Sequence, residues 1–169
     1  GTASITGLEI GYTQNSFGFL PDWLSGLGIN ANFTLLDGSF DLPMSRNAVA
    51  QGAAAIRETS GLIQQPKYIA NLTAFYNNGP IEARVSYNRI GRALQQANQD
   101  TPERDLFQEP RSQLDVQLRV ALKSNFDVVF QGQNITEEQF IVRQGPGRAY
   151  LNNAFPVGAI YWLGISWRP

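Results

Sequence analysis

Gln113-Leu114-Asp115-Val116-Gln117-Leu118-Arg119-Val120-Ala121-Leu122 is the stretch that decides the fold. Every second residue from Leu114 to Leu122 is aliphatic, and most residues between them are polar. Side chains alternate between the two faces of a β-strand, so a period of two predicts a strand with one apolar and one polar face. The other strands of the chain are predicted from the same pattern.

The same alternation recurs along the chain. It is clear in residues 27–35, 81–87 and 159–167, and shorter versions occur in residues 8–12, 70–76 and 128–130. Together these stretches predict about seven strands, most of them long enough for the roughly 9–11 residues that cross a bilayer at a tilt. The predicted fold class is all-β, an antiparallel transmembrane β-barrel segment over residues 1–169.

The predicted connections alternate in length. Residues 19–26, Asn77-Asn78-Gly79-Pro80 and Lys123-Ser124-Asn125-Phe126 have the composition of short turns. The segments between them are long and polar, at residues 41–66, 95–111 and 137–155. Antiparallel strands place all short turns on one edge and all long loops on the other, as in outer-membrane barrels. The long segments at 41–66 and 137–155 are the candidate ligand-binding loops, although no residue within them stands out.

Composition excludes several classes of protein. The 169-residue chain has no cysteine, no histidine and a formal net charge of -1. Without thiol or imidazole groups we expect no catalytic site, metal site or cofactor. The charge balance gives no reason to expect a nucleic-acid partner. No run approaches the roughly 18 apolar residues of a transmembrane helix.

The polar faces of the strands supply the candidate ligand residues. They are small, amide-rich and carry both charge signs, which favours a crowded or water-filled lumen over the solvated face of a soluble sandwich. Glu82 with Arg84, and Asp115 with Arg119, are spaced so that we expect them to pair on this side. The lumen-facing candidates are Asn30, Asn32, Glu82, Arg84, Asp115 and Arg119.

Aromatic residues concentrate at the predicted strand ends, where the two girdles of a membrane barrel would lie. The membrane-interface candidates are Phe19, Trp23, Tyr76, Phe126, Tyr161 and Trp167. Phe17 joins those near the short-turn edge, and Tyr68, Phe140, Tyr150 and Phe155 fall near the long-loop edge.

Two other kinds of motif have ordinary structural interpretations. The acidic segment 100–105, with Glu109 beyond it, is expected to be a solvated loop, with Ca²⁺ binding as the weaker alternative. The sequons that begin at Asn32, Asn71 and Asn134 are expected to be lumen-facing amides and a structural corner, and not glycosylation sites.

Seven strands leave a closure problem. Single-chain bacterial barrels have an even strand number, and an unpaired strand edge is unfavourable in hydrocarbon. We therefore expect further strands, most simply upstream of Gly1. The first six residues also lack the features of the signal peptide that an outer-membrane barrel needs.

The N-terminal third carries the most specific family resemblance. Gly7-Leu8-Glu9-Ile10-Gly11-Tyr12-Thr13-Gln14, followed by FLPDWLSGLGINANFT at 19–34, resembles a strand, periplasmic turn and returning strand of the C-terminal portion of TonB-dependent outer-membrane receptors. Weaker matches follow in the same order: residues 78–88, the opening of a strand at 113–115, a corner at 133–137 and a closing strand at 161–168. The chain departs from the family at Pro169, where an aromatic residue is usual, and it contains no plug domain or energy-coupling box.

The resemblance implies a larger barrel of about 22 strands in the bacterial outer membrane. It implies TonB-coupled uptake of a scarce ligand such as a siderophore or an oligosaccharide, with this chain supplying part of the wall and loops. The implied partners are outer-membrane lipid, the barrel-assembly machinery, and an upstream plug with the TonB energy-coupling complex. Two alternatives remain open: a small self-contained outer-membrane barrel with a structural or adhesive role, and a soluble lipocalin-like or sandwich binding domain.

Overall fold

The structure is a computed structural model that describes residues 1–122 and 125–167. In chain order its strands are β1 (Ala3–Gln14), β2 (Leu27–Pro43), β3 (Ile56–Glu58), β4 (Tyr68–Asn78), β5 (Ile81–Ile90), β6 (Ala93–Gln96), β7 (Leu106–Gln108), β8 (Arg111–Ala121), β9 (Phe126–Gln133), β10 (Phe140–Gln144), β11 (Tyr150–Phe155) and β12 (Ile160–Trp167). A short helix, α1 (Arg46–Ala50), and 3-10 turns at Asp22–Leu24 and Pro102–Arg104 accompany them. None of the described helices has the length and hydropathy to span a membrane.

Seven long strands form the main sheet, in the order β1-β2-β4-β5-β8-β9-β12. Each strand is antiparallel to its neighbours, and the short β3 pairs with the far end of β2. The all-β class and the antiparallel arrangement are thus confirmed, whereas the expected total of about seven strands is too low, since the described residues form twelve. In the described residues β1 and β12 do not pair with each other, so the sheet is open and forms no closed barrel.

The two ends of the main sheet differ, as the connection lengths predict. At one end, the turn edge, residues 15–26, 79–80 and 122–125 join successive long strands. Gly79 turns the chain there with a φ of 58°, a conformation that glycine adopts without steric cost. Lys123 and Ser124, half of one predicted turn, lie outside the described residues. The opposite end, the loop edge, carries the three long connections.

The long connections are structured, contrary to the expectation of three polar loops. We call residues 44–67, 91–110 and 134–159 the loop layer. It holds α1, β3 and a second sheet in the order β11-β10-β7-β6. Strands of that sheet are only 3 to 6 residues long, too short for a period of two to be recognised in the sequence.

The packed apolar core lies at the loop edge and not in the main sheet. Among the described residues the buried apolar side chains are Leu42, Ala48, Ala93, Leu94, Phe107 and Val142. Leu42 belongs to the end of β2 that reaches past the other long strands, and the rest belong to the loop layer. The long strands therefore gain little from packing against one another's side chains.

The pairing register separates the side chains of the main sheet by polarity. Leu72 of β4 lies opposite Ala31 of β2 and Tyr87 of β5. The row one residue away consists of Asn32, Asn71 and Asn88. Since directly opposite residues share a face, one side is an apolar face and the other a polar face.

The apolar face is open to its surroundings along its length. Leu8 and Ile10 of β1 are 57% and 58% exposed, and Leu163 and Ile165 of β12 are 77% and 73% exposed. Side chains of the inner strands on this face, such as Leu72 at 48%, are also exposed. No described part of the loop layer covers this face.

The apolar face ends abruptly on β2. Phe33 and Leu35 are its last two apolar residues, and the following positions on that side are Asp37, Ser39 and Asp41. The opposite side of the same strand there carries Leu36, Phe40 and Leu42. Beyond Leu35 the two faces of β2 have therefore exchanged their polarity. The side that carries Leu36, Phe40 and Leu42 packs toward the loop layer.

Gly28 is predicted to tolerate no larger side chain. It lies opposite Phe75, and a Cβ at Gly28 would meet the Phe75 ring at 2.3 Å and the Gln14 carbonyl oxygen at 2.8 Å. We expect Gly28→Ala to lower the free energy of unfolding by about 1–3 kcal/mol because the added methyl group overpacks this contact. Denaturant titration measures the change.

Gly11 provides the matched control. It lies on the same polar face in β1, and a Cβ there would have nothing within 4 Å. We expect Gly11→Ala to change the free energy of unfolding by less than about 0.5 kcal/mol. Equal losses in the two variants would contradict the β2–β4 register.

Candidate functional site

All six predicted lumen residues lie on the polar face of the main sheet. They are Asn30, Asn32, Glu82, Arg84, Asp115 and Arg119. Their common face follows from strand parity and register. Contact with a ligand stays a prediction.

Neutral polar side chains on this face are bonded to one another across strands. The Asn32 side-chain amide donates to Glu9 Oε1 at 2.7 Å. The Asn30 amide donates to Thr13 Oγ1 at 2.9 Å, in the neighbouring row. These bonds fix the side chains on a surface that remains hydrophilic.

An ion cluster near the turn edge involves different partners from those expected. Arg119 donates to Glu82 at 2.7 Å and to Asp127 at 3.0 Å, and the Asp127 side chain is only 3% exposed. Glu82 lies directly opposite Arg119 in the β5–β8 register. The expected pairings of Glu82 with Arg84 and of Asp115 with Arg119 are wrong, because direct cross-strand neighbours are closer than residues along one strand.

Asp115 instead holds a corner at the loop edge. It accepts hydrogen bonds from the Gln113 amide at 3.0 Å and from the Asn134 backbone N–H at 2.8 Å. Asn134 is buried, with a φ of 50°, and its side chain donates to the Val157 carbonyl at 2.6 Å and accepts from the Glu138 N–H at 3.1 Å. The expected structural corner at Asn134 is confirmed.

Arg84 lies between two clefts of about 200 and 210 Å³ on the polar face. Both clefts are lined by Arg84 and Gln117. The first also contacts Phe75, Asn77 and Glu82, and the second contacts Ser86, Asp115, Gln131 and Gln133. In the described part of the chain no carboxylate forms an ion pair with Arg84. Its planar guanidinium is therefore available to a carboxylate or phosphate group.

A buried ion pair joins the first and second long connections. Arg57 donates to both carboxylate oxygens of Asp105, at 2.9 and 3.0 Å, and Asp105 is 2% exposed. The Asn98 backbone N–H donates to the same carboxylate at 2.7 Å, and its carbonyl accepts from Arg57 at 3.0 Å. This bidentate geometry fixes β3 against the segment that precedes β7.

A second cluster joins the second and third connections. Glu109 lies 3.6 Å from Arg92 and 3.0 Å from Arg148. The Arg92 guanidinium lies 3.9 Å from the ring centre of Phe107 and donates to the Gly145 carbonyl. Burial lowers the pKa of Arg92, and Glu109 acts in the opposite direction. The three connections thus form one packed layer.

Sequence reasoning missed both clusters of the loop layer. Arg57 and Asp105 are 48 residues apart, so no local pattern connects them. The acidic segment 100–105 was expected to be solvated, which is wrong for Asp105, and Glu109 is mostly buried between its arginines. In the part of the chain that the structure describes, no group of three or more acidic residues could hold a metal ion.

Five of the six predicted interface aromatics lie at the turn edge. Phe19 and Trp23 are exposed in the β1–β2 connection, and the Tyr76 hydroxyl donates to the Trp23 carbonyl at 2.6 Å. Phe126 and Trp167 lie opposite each other at the corresponding ends of β9 and β12.

Tyr161 belongs to the other end of β12, where its ring stacks on Phe130 with centres 6.2 Å apart. Phe140 and Phe155 pack together in the second sheet, inside the loop layer. The final residues, Arg168 and Pro169, lie outside the described residues, so the departure at Pro169 has no structural account.

No family model, curated protein or solved structure matches the chain. The resemblance to TonB-dependent receptors therefore rests on the sequence motifs alone. Function must be inferred from the two faces of the sheet and from the loop layer.

Arg57 is predicted to be essential to the loop layer. Arg57→Met leaves the Asp105 carboxylate buried without its counter-ion, which typically costs about 3–5 kcal/mol. We expect a matching loss of stability and faster proteolytic cleavage within residues 95–110. Denaturant titration and timed proteolysis measure the two effects.

Arg104→Met is the control for this prediction. Arg104 is in an exposed pair with Asp100 at 3.9 Å, and such pairs contribute only about 0–1 kcal/mol. A comparable loss in both variants would show that the Arg57–Asp105 pair has no special role.

Proposed function

We propose that this chain forms part of the wall and the extracellular loop layer of an outer-membrane β-barrel that takes up a ligand, as TonB-dependent receptors do. The observation that carries the proposal is a broad antiparallel sheet with an exposed apolar face and a hydrogen-bonded polar face. The motif resemblance over nearly all the chain is the second, independent support.

The exposed apolar face favours a membrane over water. Soluble monomers rarely expose contiguous apolar patches larger than a few hundred Å². Here the exposed apolar residues run across the sheet from Leu8 in β1 through Leu72 in β4 to Leu163 in β12. A soluble sandwich would need a second layer over this face, and the loop layer does not provide it.

The dimensions of the apolar face suit a bilayer. On β2 it extends from Leu27 to Leu35, and on β4 from Tyr76 to Tyr68, nine residues in each case. A tilted strand crosses the hydrocarbon core in roughly 9–11 residues. Tyrosines at both limits of β4 are typical of the aromatic girdles at the two membrane interfaces.

The polar face suits the wall of a hydrated lumen. Its amides, hydroxyls and charged groups are joined across strands, and the clefts at Arg84 open onto it. The loop layer stands at the loop edge, which corresponds to the extracellular side of such barrels. A ligand entering there would meet first the loop layer and then Arg84.

The open edges of the sheet favour a larger assembly. Backbone N–H and C=O groups along β1 and β12 need partners wherever lipid surrounds them. Further strands of a larger barrel would supply those partners. The proposed partners are outer-membrane lipid, the barrel-assembly machinery, and a plug that connects the barrel to the TonB complex.

Tryptophan fluorescence tests the proposed membrane position. Trp162 lies on the polar face of β12 and Trp167 on the apolar face. We compare two variants that each keep one of these residues, with the other and Trp23 changed to Phe, in vesicles whose acyl chains carry bromine. Quenching should be much stronger for Trp167. Equal quenching, or a protein that stays monodisperse and cooperative in water without detergent, would overturn the proposal.

Charge placement tests the same face assignment energetically. Leu118 lies on the apolar face of β8, and Gln117 lies on the polar face. We expect Leu118→Arg to destabilise the protein folded in vesicles by about 2–4 kcal/mol, as lipid-facing charges near the bilayer centre do. Gln117→Arg should have little effect. Similar losses for the two variants would count against a lipid-facing Leu118.

Coupling to uptake needs a separate measurement. The receptor that contains this chain together with the proposed plug, inserted in vesicles, should be retained by the immobilised periplasmic domain of TonB, because uptake depends on that contact. A protein that inserts but is not retained would be a structural or adhesive barrel, the second class that the sequence left open.

A further inference from the structure

Arg89 is the exception to the polarity of the apolar face. In the β4–β5 and β5–β8 registers it lies opposite Ala70 and Ser112, both on that face. Among the described residues of the seven long strands, no other ionisable group with a formal charge at neutral pH lies on this face between the turn edge and Leu35. An exposed arginine in this position requires an explanation.

Hydroxyl groups hold the Arg89 side chain in place. Its Nε donates to the Tyr68 hydroxyl at 3.1 Å and its Nη1 to Ser112 Oγ at 2.8 Å. The Tyr87 hydroxyl donates to the same Ser112 oxygen at 3.0 Å. The arginine and both tyrosines thus form one cluster on the apolar face.

The cluster leaves the charge of Arg89 without a counter-ion in the described chain. No carboxylate lies within ion-pair distance of it there. Glu138, which approaches this region, accepts a hydrogen bond from the Ser112 backbone N–H at 3.1 Å. The Tyr87 hydroxyl is also within hydrogen-bond reach of the Arg89 guanidinium, so Tyr68, Ser112 and Tyr87 together engage three of its five N–H groups.

The position of Arg89 corresponds to the headgroup level of a bilayer. Its row, which continues through Ala70 to Phe33, is the last but one before the apolar face of β2 gives way to Asp37. Tyrosines are favoured at this depth because their rings lie in hydrocarbon and their hydroxyls in the polar layer. An arginine here reaches headgroups, whose phosphate groups its fork geometry can bind with two parallel hydrogen bonds.

We propose that Arg89, with Tyr68 and Tyr87, binds a phosphate group of a lipid in the leaflet on the loop-layer side. The inference rests on the proposed membrane position of the sheet. The lipid phosphate supplies the missing counter-charge and accepts the free N–H groups of Arg89. The lipid chains then lie along the exposed apolar side chains below the cluster.

Lipid retention by the intact protein tests the proposal. The protein is purified in a neutral detergent, mixed with bisphosphorylated lipid A, and the bound lipid is counted by native mass spectrometry. Arg89→Gln should weaken retention about tenfold or more, the effect of losing charge-assisted hydrogen bonds. Arg104→Gln is the control, because it removes the same charge from an exposed position in the loop layer, and it should leave retention unchanged.

If Arg89→Gln fails to fold, a comparison of different lipids with the unaltered protein still tests the proposal. The unaltered protein should retain bisphosphorylated lipid A in preference to its dephosphorylated form and to phosphatidylcholine. Equal retention of all three, or equal losses in Arg104→Gln and Arg89→Gln, would overturn the inference. Full displacement of lipid A by millimolar inorganic phosphate would indicate a site for free phosphate instead. Failure to enter detergent micelles or vesicles would refute the proposed membrane position itself, which separates the two failures.

Discussion

Cross-strand register is the constraint on which the rest of the structure depends. It aligns the alternating side chains of β2, β4, β5 and β8 so that rows across the sheet are mainly apolar or mainly polar in turn, with Arg89 as the charged exception on the apolar face. A slip of one residue in any pair would mix the two faces. The described chain covers neither face, so the stability of the main sheet depends on its backbone ladder and on the medium that meets each side. The proposed membrane position follows from this dependence.

The loop layer has a different source of stability. It contains most of the buried apolar side chains and two arginine–carboxylate clusters, centred on Asp105 and Glu109. Buried ion pairs add little net stability compared with apolar packing, but they are costly to break singly and so favour one arrangement. Each cluster joins two of the three long connections. If the loop layer binds a ligand as proposed, its preordered structure loses less conformational entropy on binding than flexible loops would.

The sequence predicts the long strands well because their signal is local. In β8 the alternation persists for nine residues from Leu114 to Leu122, and parity alone assigns Asp115 and Arg119 to one face. The partners of those residues could not be predicted, since Glu82 is 37 residues from Arg119 and their contact depends on which strands are neighbours. The three-residue β7 has no recognisable period, and its strand status depends on the pairing with β6 and β10.

Arg89 shows a different limit of sequence reasoning. The apolar alternation of β5 runs through Ile81, Ala83, Val85 and Tyr87, and the charged Arg89 interrupts it at the next position of that face. The strand in fact continues to Ile90. A polar residue in an apolar series marks either a strand end or an interface, and only the neighbouring strands distinguish the two. Here Tyr68 and Ser112, from β4 and β8, make that distinction.

On the proposed membrane position, the exchange of polarity on β2 sets the depth at which the sheet lies in the bilayer. In a bilayer, moving the sheet by two residues along β2, about 7 Å, toward the turn edge would draw Asp37 into hydrocarbon. Moving it the opposite way would expose the Leu35 end of the apolar band to water. On the proposed membrane position, insertion depth would therefore be encoded in one strand. Because the loop layer is continuous with that strand, the same few residues would fix its distance from the membrane surface.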